Sequence, residues 1–489
     1  MIRTTTLVVI LVFASRGRAQ VPTDTLSSLA QTHQTFVRLG QASGEAIWPG
    51  YRPDTIPISY VFPQRGTALF GWRGSLPAGY GSVPGIPGVG WLDQRNLGAA
   101  STGTSIDERP VAQVVVTSLE AEALVPVAFH EAFHVFERAS RRPGLRFGRG
   151  ENSFYVASYP IFNVRNEALF ALEGQLLRSA LQENSIASKT SLARQFAALR
   201  RARQALLDPD FAEFERGSEM NEGLAEYALV RAVQLLGNDT GVTASTRSGA
   251  RKILADRLVS LANLASNISQ SFRLRFYQTG PAEALLLDAI GKADWKKQLM
   301  EQNQTVQDAL ALATGLDGPQ LVAFHLAMTR LDTSSASREA ASRVANLVSL
   351  RKRQVDSLLS APGVLLELSA SALPSKDFGI CGFDPQNHLQ VSPTVQIQKR
   401  WWRPCSGSLL RSEFNVPSVH DDEAGTVRAV IGPMQEVKLT LDGAPLVLSD
   451  GQVIESATNL RLEAPRANVQ AARAKVSLHG MKLQIIPLP

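Results

Sequence analysis

The segment His130-Glu131-Ala132-Phe133-His134 combines residue types used in metal chemistry with the spacing that chemistry requires. Two histidines four apart lie one above the other on a helix face, so both imidazoles can reach one divalent cation, with zinc the usual choice. Glu131 sits one step around the same helix, where it can act as a base on a metal-bound water without ligating the metal. The segment lies inside the apolar run Val125-Pro126-Val127-Ala128-Phe129 and continues into Val135-Phe136. Burying two imidazoles and a carboxylate there is costly unless they are paired or metal-bound. We therefore expect His130 and His134 as ligands and Glu131 as general base. Two satisfied core histidines are the plainer alternative, and that reading leaves Glu131 without a purpose.

A tetrahedral zinc with one open position needs a third protein ligand, and no third histidine follows closely. Met220-Asn221-Glu222-Gly223-Leu224-Ala225-Glu226-Tyr227 offers two glutamates four apart on one helix face. Glu222 is the expected ligand, and Glu226 the expected acceptor for the free ring N–H of a ligating histidine. Glu167, in Asn166-Glu167-Ala168, is the rival ligand.

His-Glu-x-x-His followed by Asn-Glu-Gly-x-Ala-x-Tyr resembles the gluzincin metallopeptidases, the broad group that contains thermolysin and the aminopeptidase N family. The resemblance covers about residues 105–300 and implies a zincin-like catalytic domain with Glu222 as third zinc ligand. It also implies an oxyanion-stabilising tyrosine: Tyr277-Gln278-Thr279-Gly280 is similar to the Tyr-x-x-Gly segment of the aminopeptidases, which makes Tyr277 the candidate. Two departures stand out. Residues 135–221 separate the second histidine from Glu222, much farther than is usual in the family and enough for inserted helices. No Gly-Ala-Met-Glu-Asn-like segment precedes the histidines, so the resemblance does not extend to aminopeptidase specificity.

These residues need a scaffold, and the pattern predicts an α+β protein. Val111–Leu119 is rich in β-branched residues and reads as a strand, whose edge would pair with an extended substrate. Ile56–Phe62 alternates like another strand, and residues 66–104, crowded with glycine and proline, read as a long loop. Apolar residues at three- and four-residue spacing predict helices over 24–40, 127–140, 164–183, 190–207, 210–236, 247–272 and 335–360. Beyond residue 360 the texture changes to short alternating runs separated by turns such as Asp442-Gly443 and Asp450-Gly451. The expected organisation is a signal peptide over 1–19, a mostly helical zincin-like domain with a helical insertion over 20–360, and a small β-rich sandwich or barrel over 361–489.

The signal peptide is read from Arg3, the apolar run Leu7–Ala14 and the small residues before a cut after Ala19. The implied location is secreted or periplasmic, where Cys381 and Cys405, the only two cysteines, would form a disulfide. The 489 residues carry a net charge of +6 with no basic run, which argues against a nucleic-acid partner. His33, His325, His388, His420 and His479 stand singly and receive no role, and the Trp401-Trp402 pair reads as core. The function these readings imply is an exported zinc metallopeptidase acting on a peptide or protein substrate, with no stable membrane insertion after signal cleavage. A zinc hydrolase of another ester or amide, or an exported binding protein with a structural metal, are the alternatives.

Overall fold

A computed structural model describes residues 23–96, 99–265, 271–291, 294–316 and 334–489; the expected signal segment and His325 lie outside the described residues. After helix α1 (Thr23–Ile47), strands β1 (Ile58–Phe62), β2 (Gly66–Phe70), β3 (Gly81–Ser82), β4 (Gly90–Leu92), β5 (Thr102–Ile106) and β6 (Arg109–Val115) form one sheet in the order β3-β4-β2-β1-β6-β5. β1 and β6 run parallel, and the other pairs are antiparallel. The region expected as one long loop therefore contributes four strands, short and rich in glycine, which masked their alternation.

The predicted strand at Val111–Leu119 ends at Val115, and it is not an edge: β6 pairs with β1 on one side and β5 on the other. The strand on that side of the sheet that pairs with a single neighbour is β5. This corrects the expectation that Val111–Leu119 would pair with substrate.

Helix α2 (Ala121–Ala139) carries the histidines and packs on β5 and β6. Phe129 and Phe133 are fully buried among Phe36, Tyr51 and Trp48, and each such side chain contributes about 1.5–3 kcal/mol by leaving water. Pro126 lies inside α2 rather than at its start. The helices α3 (Val164–Gln182) and α4 (Ile186–Gln204) form an antiparallel pair inserted after α2. The helix expected over 210–236 is broken into α5 (Pro209–Ser218), a π-helical turn (Glu219–Gly223) and α6 (Leu224–Asn238), which packs along α2. Asp208 caps α5 and Pro209 opens it.

After α7 (Ala244–Ala262) comes α8 (Phe276–Ile290), which the spacing did not reveal. Nearly every residue from Phe276 to Leu287 is buried, so it has no polar stripe to give it a period. The short helices α9 (Trp295–Glu301) and α10 (Val306–Ala313) follow, and α11 (Ser334–Leu359) ends the helical part. Among the described residues no helix is long and apolar enough to cross a membrane.

Thirteen strands, from β7 (Leu365–Ser369) to β19 (Lys482–Pro487), form one continuous sheet around a separate core that includes Trp402, Phe414, Leu460 and Ile485. Strand β18 (Ala467–His479) holds it together. Along one edge β18 pairs with β17 (Val453–Ala464), and along the other with β12 (Leu410–Phe414) and then β19. The run expected over Lys475–Pro487 is thus two strands, turned at Gly480, where φ is +58°. Cys381 and Cys405 are disulfide-bonded across β8 (Gly379–Phe383) and β11 (Trp402–Ser406), with Cα atoms 5.9 Å apart. The β domain meets the helical part at several places: Ser271 Oγ donates to the Pro385 carbonyl at 3.1 Å, and Arg400 to the Ala99 carbonyl at 3.4 Å.

Candidate metal centre

The helical spacing brings the Nε2 atoms of His130 and His134 to 3.1 Å from each other. Glu222 Oε2 lies 3.4 Å from the first and 3.3 Å from the second. Glu222 comes from the π-helical turn, whose wider coil sets it between two α-helices; such turns are frequent at functional sites. The turn lies directly against α8. A Cβ on Gly223 would stand 2.8 Å from Gly280 Cα, and one on Gly280 would stand 2.6 Å from Gly223 Cα. Only glycine at both positions permits that approach.

The other ring nitrogens face carboxylates. His130 Nδ1 lies 3.1 Å from Glu226 Oε1, and His134 Nδ1 lies 3.3 Å from Glu137 Oε2. With each Nδ1 turned outward to a carboxylate, the two Nε2 atoms and one carboxylate oxygen converge on the same point. Three acceptors at this range repel one another unless a proton or a cation lies between them. A tetrahedral zinc with bonds near 2.0–2.1 Å separates its ligand atoms by about 3.3–3.4 Å, close to the three distances here. The donor set, its burial and the carboxylates behind both imidazoles all fit a zinc ion.

The second oxygen of Glu222 is also held. Arg273, 4% exposed, donates to Glu222 Oε1 at 2.7 Å, to the Tyr277 hydroxyl at 2.7 Å, and to Glu151. Gln386, from the β domain, donates to the same hydroxyl at 2.9 Å. The Tyr277 ring stacks along His130 with centroids 6.1 Å apart. Arg257 pairs with Glu226. Glu167 is turned away and engaged by Arg275 through two bonds of 2.8 and 2.7 Å, so it does not join the cluster.

Electrostatics follows from this crowding. Burial pulls His130 down, but its hydrogen bonds to Glu222 and Glu226 and the charge of Glu131 outweigh it and bring it to about 9. Burial pushes Glu222 up, and the charges of His134 and Arg273 override it, holding the carboxylate well below its ordinary value. Glu131 is raised, chiefly by burial, with the histidine charges opposing. Among the described residues its Oε2 is buried without a hydrogen-bond partner, unusual for a carboxylate in a packed interior. Burial and the Glu222 charge push the Tyr277 phenol well up, so it keeps its proton.

Glu137, Glu151, Arg257, Arg273 and Gln386 were not foreseen. Glu137 had a readable signal, lying three residues after His134 on the same helix face. The others come from separate elements and had none. Among the described residues, Asp377, His420 and Asp422 form a second close group. There, His420 Nε2 meets Asp377 at 3.3 Å and Nδ1 meets Asp422 at 3.0 Å. The two ring nitrogens face different carboxylates.

Compared with protein-family models, curated proteins and solved structures, the chain matches none.

Proposed function

We propose that the chain is an exported zinc-dependent peptidase of zincin-like fold, with His130, His134 and Glu222 as zinc ligands. The observation that carries this reading is the convergence of the three acceptor atoms at tetrahedral-edge distances, with both imidazoles oriented by carboxylates behind them. A helix bearing the histidines, packed on a sheet whose outer strand β5 passes beside it, supports the zincin comparison. A Cβ on Gly103 of β5 would lie only 3.4 Å from His134 Cβ.

Zinc, when bound, supplies Lewis acidity toward a water and a carbonyl oxygen. The protein's own groups do the rest. Glu131, with one oxygen free of other partners, takes the proton of the attacking water and delivers it to the leaving amine. Glu226 and Glu137 hold the imidazoles in the tautomer that presents Nε2. Both lone pairs of the Tyr277 oxygen accept hydrogen bonds, from Arg273 and Gln386, so its proton is what it can offer to a developing oxyanion.

The test is metal content and peptide hydrolysis measured together. The purified protein should hold one zinc, and Glu222→Ala should lose it. Glu131→Gln should keep the zinc while turnover falls by about 10²–10⁴-fold. Zinc retained in Glu222→Ala would remove that ligand. Wild-type turnover in Glu131→Gln would remove the base and favour a structural metal.

A further inference from the structure

A groove of about 930 Å³ runs between the sheet of the helical part and the β domain. Gln64 and Ala100 line one wall, and Asp384, Arg400, Trp401 and Arg466 line the other. Each wall carries a residue that lies next in sequence to a segment touching the candidate site. Ala100 lies just before β5, whose Gly103 abuts His134. Asp384 and Pro385 immediately precede Gln386, which donates to Tyr277.

We propose that the β domain is the substrate-holding half of the active centre, and that this groove takes an extended polypeptide leading to the cleavage site. The proposal rests on the peptidase reading and adds where the chain lies. Three observations point to a polypeptide. Among the described residues β5 pairs only with β6, so its other edge is open to an added strand except at the Gly103 carbonyl, which accepts from Arg138. The groove walls carry charges of both signs, with Arg400 3.1 Å from Asp384, which suits a ligand of mixed side chains rather than a polyanion. The half-buried Trp401, seated against Gly382, presents an aromatic surface for an apolar side chain.

The experiment uses the full zinc-loaded chain carrying Glu131→Gln, to prevent turnover, with fluorescein-labelled oxidised insulin B chain as the probe and anisotropy as the readout. Binding should be saturable, and both Trp401→Ala and the exposed-site Arg466→Ala, added to that background, should weaken it, the first by about tenfold or more. Two variants guard against a folding defect in either one, and thermal melting of each should match the parent. Binding unchanged in both variants, or no binding, overturns the proposal. Tighter binding of chitohexaose with the same dependence on Trp401 would replace the polypeptide with a glycan and overturn it too. Failure of the unsubstituted protein to cleave the B chain, with groove binding intact, would sink the peptidase reading and leave the groove standing.

Discussion

Two clusters of buried charge lie side by side in the helical part, and they are neutralised differently. In the first, Arg200 and Arg203 are fully buried among Glu173, Glu215, Glu219 and Glu283. Arg203 alone meets Glu173 at 2.6 Å, Glu215 at 2.6 and 2.8 Å, and Asn166 at 3.0 Å. Burial pushes Glu215 up, but the Arg203 charge and hydrogen bonds prevail and hold it near 2. Burial and the neighbouring Glu219 push Glu283 well up, with the Arg200 charge opposing. In the second cluster, Arg273 and Arg257 engage the outer oxygens of Glu222 and Glu226, but His130, His134 and the inner oxygen of Glu222 face each other with acceptors. One cluster carries its own counter-charges. The other leaves room for a cation from outside. Glu219 belongs to the first and begins the turn that carries Glu222, and Thr279 of α8 donates to it at 2.6 Å. The self-neutralised cluster is thus joined through Glu219 to the turn that carries Glu222 of the candidate metal centre.

That contrast can be broken most severely through Arg203. Arg203→Leu leaves Glu215 buried without its only cationic partner among the described residues and takes one of two arginines from Glu173, and it should cost about 3–5 kcal/mol in urea unfolding. The loss should be the same with zinc present or chelated. A loss that instead differed between the zinc-loaded and the chelated protein would show that the two clusters are not independent. A third way of burying a titratable group is shown by His33, which sheds its proton: burial lowers it to about 4, and its Nδ1 lies 3.2 Å from the Tyr60 hydroxyl. Its folded value lies below the unfolded value of about 6.5, so the unfolded chain takes the proton first as pH falls. Stability should be full above about 6.5, decline by on the order of 3 kcal/mol between about 6.5 and 4, and change no further from this group below that. His33→Gln should flatten the decline in that window; an unaltered pH profile would mean the ring is not buried neutral. The smallest effect concerns the carboxylates behind the ligands. Glu226→Gln or Glu137→Gln should weaken zinc binding by about 10–100-fold in competition with a chromophoric chelator, with little change in metal-free stability. Undiminished affinity in both would show that they do not orient the imidazoles.

How much of this was legible is best judged from particular residues. The α+β class and the change from helix to strand near residue 360 were readable, because amphipathic spacing and turn dipeptides are local. Strands β2 to β5 were not, since short glycine-rich strands look like loop. Helix α8 was not, because a helix buried on every side has no stripe. The π-helical turn had no sequence signal at all; Glu219–Gly223 reads as ordinary helix.

The sequence by itself determined the pair of histidines. Their convergence depends only on helix geometry, which four residues of spacing specify wherever the helix lies. It determined the Glu222–Glu226 spacing in the same way, whereas the structure decided that Cys381 and Cys405 pair. Only the tertiary structure decided which glutamate meets the histidines, for Glu167 stays a rival to the expected Glu222 until Arg275 claims it and the packing of α6 on α2 delivers Glu222. It alone decided that Arg273 and a glutamine from the β domain would meet at Tyr277, because contacts between elements far apart in the chain depend on how whole faces pack, and no local pattern encodes that.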